Sequence, residues 1–359
     1  MVFFILLISS FFISFYLMPH IIRVANKYSI FDKPSAIKTH EGKISSLGGV
    51  PVLFGFYVSI LIVVPIFHEI PANSFLPLVS LLAIFLYGLG DDLLNYKPWK
   101  KLIFQLFISS IIVYKCHLYL CMDDIFPGLK LLGPFWIGFE VIIIAIIINA
   151  YNLIDGSDGL TAILSLIGFL VYGVLFYLDG QYFECAMAIA LSGALVGFIF
   201  YNLPPAYVFM GDSCSTFIGL AFGYFTFKYL NSASTSSVLS IDSHLILAFS
   251  IVSLPVLDLM RLFVYRLTKG KNPFKGDTNH IHHLLLQSGS SKTQVIVILS
   301  SVQLLFIFTA FILLNTSLPV IISSNVFWYI IFIIFVKKQF VKKQFISKKA
   351  TKKELKLNS

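Results

Sequence analysis

The chain has 359 residues, 58% hydrophobic and 12% charged, with a mean hydropathy of +0.89; soluble domains are about a quarter charged, so a water-soluble fold is excluded. The formal net charge of +9 does not mark a nucleic-acid binder, because the charge gathers at the ends of apolar runs and no basic groove interleaved with aromatics is present. Cys116, Cys121, Cys185 and Cys214 form no CxxC pair and lie in or beside apolar stretches, which argues against a disulfide framework or a zinc site.

Apolar runs long enough to cross a membrane as about 20 helical residues recur along the chain, and they predict an all-α integral membrane protein of about eleven spans. The first, Val2 to Ile22, is followed rather than preceded by basic residues (Arg23, Lys27, Lys33), the reverse of a cleavable signal peptide, and is read as a retained helix. Spans then follow at Leu47 to Phe67, Phe75 to Gly90, Leu102 to Leu120, Leu131 to Ala150 and Gly159 to Leu178. The remainder are Phe183 to Leu203, Ser213 to Leu230, His244 to Tyr265, Val295 to Asn315 and Pro319 to Val336.

All of the 26 Lys and Arg residues except Lys115, Lys130 and Lys228 fall in loops one, three and nine, at the end of span nine, or in the tail. By the positive-inside rule these segments face the cytoplasm. The amino terminus is then outside and the carboxyl terminus cytoplasmic. A catalytic domain is expected over residues 1–336 and a lysine-rich cytoplasmic tail over 337–359. The tail suits either a basic segment on anionic lipid headgroups or a solvated end.

Charge inside a membrane helix is costly, so acids at span ends need a reason. Four clusters stand out: Gly90-Asp91-Asp92; Asn149-Ala-Tyr-Asn152-Leu-Ile-Asp155-Gly-Ser-Asp158-Gly; Phe209-Met-Gly211-Asp212-Ser213; and Asp277-Thr-Asn279-His280-Ile-His282-His283. They fall in loops three, five, seven and nine, the side that the lysines independently assign to the cytoplasm. Adjacent carboxylates such as Asp91 and Asp92 repel unless a divalent cation or basic partner neutralises them. Asp155 and Asp158 would share a face if a helix begins there, and a helix amino terminus attracts phosphate. Gly211-Asp212-Ser213 alone reads as a helix cap. The histidines, with Arg261 and Arg266, suit hydrogen bonding to a diphosphate better than a metal site. Carboxylates, a divalent cation and basic groups, without a serine or cysteine nucleophile beside a base, form the inventory of phosphoryl transfer.

These motifs resemble those of the polyprenyl-phosphate N-acetylhexosamine-1-phosphate transferases, and the resemblance runs over nearly the whole chain. It implies transfer of an N-acetylhexosamine 1-phosphate, with N-acetylglucosamine 1-phosphate the leading choice, from a UDP-sugar to undecaprenyl phosphate, releasing UMP. Mg²⁺ is the implied cofactor, with Mn²⁺ as an alternative. By motif position Asp212 and Asn152 would contact the metal, and Lys101 the diphosphate. Asp91 and Asp92 would activate the lipid phosphate or help hold the cation. Asp155 and Asp158 would order the nucleotide side, while Arg266, His280, His282 and His283 would grip the nucleotide sugar. Expected partners are the UDP-sugar, undecaprenyl phosphate and membrane lipids, with no nucleic acid; a homodimer is left open. The expected location is the bacterial inner membrane, with the site on its cytoplasmic face, at the first membrane step of a lipopolysaccharide, teichoic acid or similar glycan. The chain departs from the family pattern at Cys214, where glycine often follows the motif serine, and before Gly48-Gly49, where the usual arginine is missing. The competing reading, a transporter with ion-coupling carboxylates, predicts acids deep within the spans.

Overall fold

The computed structural model describes residues 1–31, 44–67, 70–116, 133–233, 239–271, 279–314 and 316–357. Lys33, Lys38, Lys43, Cys121, Lys130, Lys275 and Asp277, and the ends of spans four and five that adjoin loop four (117–120 and 131–132), lie outside the described residues. Among the described residues the fold is all-helical: α1 (Val2–Lys27), α2 (Gly49–Phe67), α3 (Phe75–Leu94), α4 (Pro98–Lys115), α5 (Gly133–Ile154), α6 (Leu160–Leu178), α7 (Tyr182–Asn202), α8 (Gly211–Ser232), α9 (Ile241–Thr268), α10 (Ile281–Ser288), α11 (Lys292–Ile312) and α12 (Leu318–Leu357). Nine of these are long and apolar enough to cross a membrane.

The two expected spans that do not meet this measure are α4 and α8. Helix α8 has a physical reason. It lies inside the bundle against α3 and α5, with α2, α6 and α9 around it, and nearly every one of its residues is buried. A helix ringed by protein need not be apolar on all sides, and α8 carries Asp212, Ser213, Ser215, Thr216 and Thr226.

Two small-residue pairs set the spacing of the inner helices. Gly219 and Gly223 of α8 face α5, where added methyl groups would fall 2.6 Å from Ile148 Cα and 2.8 Å from Ile144 Cγ2. Gly193 and Gly197 of α7 face α1 in the same way. Such small-xxx-small pairs let membrane helices approach closely and pack by van der Waals contact. A Cβ at residue 197 would lie 2.8 Å from Phe11 O and 2.9 Å from Phe15 N. Gly197→Val is therefore expected to cost about 1–3 kcal/mol of stability by overpacking, read as a lowered Tm of the detergent-purified protein.

Three boundaries differ from expectation. Helix α3 runs to Leu94, placing Asp91 and Asp92 in its last turn rather than in a loop; Asn95, at φ 54, ends it and returns its N–H to Asp91 O. Helix α5 runs to Ile154, past the expected end at Ala150, and α6 starts at Leu160, so Asp155 and Asp158 lie in the turn between the two, where the expected spans also left them. Gly159, with φ +74, supplies the left-handed step that enters α6. Helix α12 runs past the expected end of the last span at Val336 and continues without interruption from Leu318 to Leu357.

Candidate active site

The end of α3, the start of α4 and the start of α8 meet around four charged side chains. Lys101 forms an ion pair with Asp91 Oδ2 and donates to Asp212 Oδ2 at 2.6 Å. The other oxygen of Asp91 accepts Tyr96 N–H at 2.7 Å, which fixes the carboxylate across the end of its own helix. Asp92 has a different task. Its Oδ1 accepts Asp212 N–H at 2.8 Å and its Oδ2 accepts Ser213 N–H at 3.0 Å. It thus satisfies two of the free amides at the α8 amino terminus from another helix. Gly211 adopts φ +80, and a Cβ there would fall 2.7 Å from Asp92 Oδ2; only glycine allows the carboxylate to approach so closely.

Loop one is tied to the same place. Phe209 N–H donates to Ser45 O at 2.8 Å, and Gly48 N–H to Phe209 O at 3.0 Å; Ser45 and Val208 form an isolated parallel bridge. Cys214 is fully buried, and a Cβ on Gly49 would lie 2.5 Å from the Cys214 Cβ. The unusual cysteine therefore packs beside the glycine pair.

The Asn152 motif joins this centre through α8: Ser215 Oγ donates to Asn152 Oδ1 at 3.0 Å. One turn earlier, Asn149 Nδ2 donates to Gln105 Oε1 at 2.6 Å, linking α5 to α4 one turn after Lys101. The following turn is held from two sides that the motifs did not reveal. Lys292, at the start of α11, donates to Asp158 Oδ2 at 2.8 Å. Asn202, buried at the end of α7, accepts Gly159 N–H at 2.9 Å and donates to Val208 O at 2.8 Å. A polar residue closing an otherwise apolar run was the available signal. Asn202→Ala removes both partners from buried backbone groups, each costing about 1–3 kcal/mol, and is expected to lower both Tm and turnover in the same preparation.

The histidine segment closes the far side. His282 is fully buried, and neither ring nitrogen has a hydrogen-bond partner. Its ring abuts Gly156, whose missing side chain leaves room for it, so it adjoins the Asp155 turn. Burial first, then neighbouring His283 and His280, hold the His282 imidazole well below its ordinary value. At neutral pH it is uncharged, with one nitrogen a donor and the other an acceptor. His280 and His282 stack at 5.7 Å, and His282 and His283 lie 4.2 Å apart. Arg266 is buried in the last turn of α9. Arg261, expected to face a diphosphate, is instead committed to Asp258, Tyr329 and Asn279 O.

Asp91, Asp92, Lys101 and Asp212 thus form one contiguous group. Asn152 adjoins it through Ser215, and His282 adjoins the Asp155–Asp158 turn. Among the described residues no three His, Cys, Asp or Glu side chains are grouped closely enough to hold a metal alone. The carboxylates of Asp212 and Asp91 and the Asn152 amide oxygen suit a hard cation that takes phosphate oxygens and water as its remaining ligands.

Comparison with known proteins identifies the family. Residues 74–229 match the model of glycosyl transferase family 4. The undecaprenyl-phosphate alpha-N-acetylglucosaminyl 1-phosphate transferase of Escherichia coli (strain K12) is 30% identical over 284 residues, covering 77% of this chain and 75% of its own length. Its Yersinia pestis counterpart is 31% identical over 286 residues, with the same coverage. A probable undecaprenyl-phosphate N-acetylglucosaminyl 1-phosphate transferase of Bacillus subtilis (strain 168) is 27% identical over 323 residues, 89% of this chain and 84% of its own. With three of the four motif clusters drawn together at the family-matched helices and relatives aligned over most of its length, the chain belongs to glycosyl transferase family 4, the polyprenyl-phosphate N-acetylhexosamine-1-phosphate transferases.

Proposed function

We propose that the protein transfers N-acetylglucosamine 1-phosphate from UDP-N-acetylglucosamine to undecaprenyl phosphate and releases UMP. The observation that carries this reading is Lys101 held between Asp91 and Asp212 at the meeting of α3, α4 and α8. A cation between two carboxylates can exchange them for phosphate oxygens, and positioning with charge neutralisation is the main demand of phosphoryl transfer. In the reaction, an oxygen of the lipid phosphate bonds to the sugar-bearing phosphorus. The diphosphate bond breaks, and UMP carries away the bridging oxygen and its electrons.

Lys101 would neutralise the diphosphate as its partners release it. Asp91 would accept a proton from the lipid phosphate, while Asp92 orients the start of α8 and so Asp212. Asp212 and Asn152 would hold Mg²⁺, which when bound would offset phosphate charge. Asp155 and Asp158, the latter tethered by Lys292, would order the nucleotide side. Arg266, His280, His282 and His283 would grip the nucleotide sugar. Direct attack in one step is favoured: both oxygens of Asp92 are held by backbone amides, and Asp91 is given the role of base. The lysine distribution supports a cytoplasmic site with the amino terminus outside, and the bacterial relatives support a bacterial inner membrane. Asp91, Asp92, Asp155, Asp158 and Asp212 gather at helix ends rather than mid-span, which disfavours the transporter reading.

The test is UMP release by purified protein given undecaprenyl phosphate, Mg²⁺ and a panel of UDP-sugars, with a matched EDTA control. Metal-dependent release with UDP-N-acetylglucosamine is expected. Silence across the panel from folded protein would overturn the reading.

A further inference from the structure

Asp258 lies on α9, outside the family-matched residues 74–229; it opens the stretch from Asp258 through Arg266 to His283 on which the family resemblance partly rests, and no role was assigned to it there. It is 2% exposed, and both of its oxygens are fully used. Oδ1 accepts Arg261 Nη2 at 2.7 Å and Tyr329 Oη at 3.0 Å. Oδ2 accepts His280 Nδ1 at 3.1 Å and Ile281 N–H at 3.3 Å. The last contact caps α10, whose own N-cap residue, His280, makes no side-chain cap. Arg261 also donates to Asn279 O at 2.6 Å and to Tyr329 Oη at 3.2 Å. One buried carboxylate therefore joins three helices, α9, α10 and α12, at the base of the histidine segment.

A carboxylate that accepts from Nδ1 keeps the proton on that nitrogen and fixes the ring plane, leaving Nε2 as the nitrogen able to meet a substrate. No hydrogen bond among the described residues occupies His280 Nε2. The fixed His280 ring in turn stacks on His282 at 16° between planes, and His282 abuts Gly156.

We propose that Asp258, braced by Arg261 and by Tyr329 of the last helix, is a positioning residue that sets the tautomer and orientation of His280 for the nucleotide-sugar donor. The inference rests on the reading that the histidines grip the donor. It gives α12 a part in donor binding that its distance in sequence from the motifs conceals.

The test uses the full-length purified protein with UDP-N-acetylglucosamine and undecaprenyl phosphate. Asp258→Asn risks misfolding, so the decisive variant is Tyr329→Phe, which deletes a single hydroxyl from the network. It is expected to raise the donor KM about tenfold, the scale seen for groups that orient a ligand's holder, with kcat and the acceptor KM held within about twofold. In the double variant Tyr329→Phe with His280→Ala, the donor KM should be no higher than in His280→Ala alone, because the hydroxyl acts through that ring. Additive losses, an equal rise in acceptor KM, or a wild-type donor KM in Tyr329→Phe would overturn the inference while leaving the histidine reading intact. A His280→Ala protein with unchanged donor KM would overturn that reading, and the inference with it.

Discussion

Asp212→Asn is expected to lower turnover by at least about 10²–10³-fold, the scale of losing one preorganised charge-stabilising group, while the protein stays inserted and folded. Asp212 is 37% exposed, and the α8 amino terminus is anchored by its backbone N–H on Asp92 rather than by its side chain. Asparagine preserves the shape and one acceptor but removes the charge that Lys101 faces and that a hard cation requires. Asp91→Asn should behave similarly, since it loses charge beside the same ammonium. Asp92→Asn should differ in kind. With both oxygens accepting backbone amides, an amide side chain can accept only at one and must turn its NH₂ group on the other. Loss of Tm alongside loss of activity is therefore expected for this variant alone. UMP release and thermal unfolding, measured on the same detergent preparations, separate the three. Wild-type turnover in Asp212→Asn or Asp91→Asn would sink the assignment of the centre.

The membrane character and the clusters were legible because both rest on local signals, namely apolar run length and carboxylates where lipid makes them expensive. What was not legible is what each carboxylate does, because that depends on partners far along the chain. Asp91 and Asp92 look alike in sequence. One pairs with a lysine ten residues on, and the other caps a helix 120 residues away. Asp158 is likewise defined by Lys292, 134 residues distant, and Asp258 by Tyr329, 71 residues distant. The boundary errors have local causes that propensity underweights. The expected end of α5 at Ala150 fell one turn short of Ile154 because the polar Asn152 lies in the helix's last turn, and the polar content of α8 reflects enclosure by other helices instead of a weak span. Gly193, Gly197, Gly219 and Gly223 stand four apart on their helices, a spacing that carries packing information hidden within ordinary apolar runs.

Gly156→Ala is expected to lower kcat/KM about 10²-fold, the cost of a misplacement of about 1 Å near reacting groups, with only a modest change in Tm. An added methyl would overlap His282 Nε2 and lie 2.9 Å from His282 Cε1. The ring is fully buried between its histidine neighbours and so has little room to withdraw. Either the Asp155–Asp158 turn or the imidazole must shift, and both belong to the proposed nucleotide-sugar side. The same geometry supplies the control. If the methyl acts by displacing the ring, truncating that ring in His282→Ala should remove the conflict, and adding Gly156→Ala to it should cost nothing more. A further large loss in the double variant would mean that the glycine serves the turn's backbone or a bound phosphate directly, and that the contact between the second and fourth motifs is incidental to catalysis.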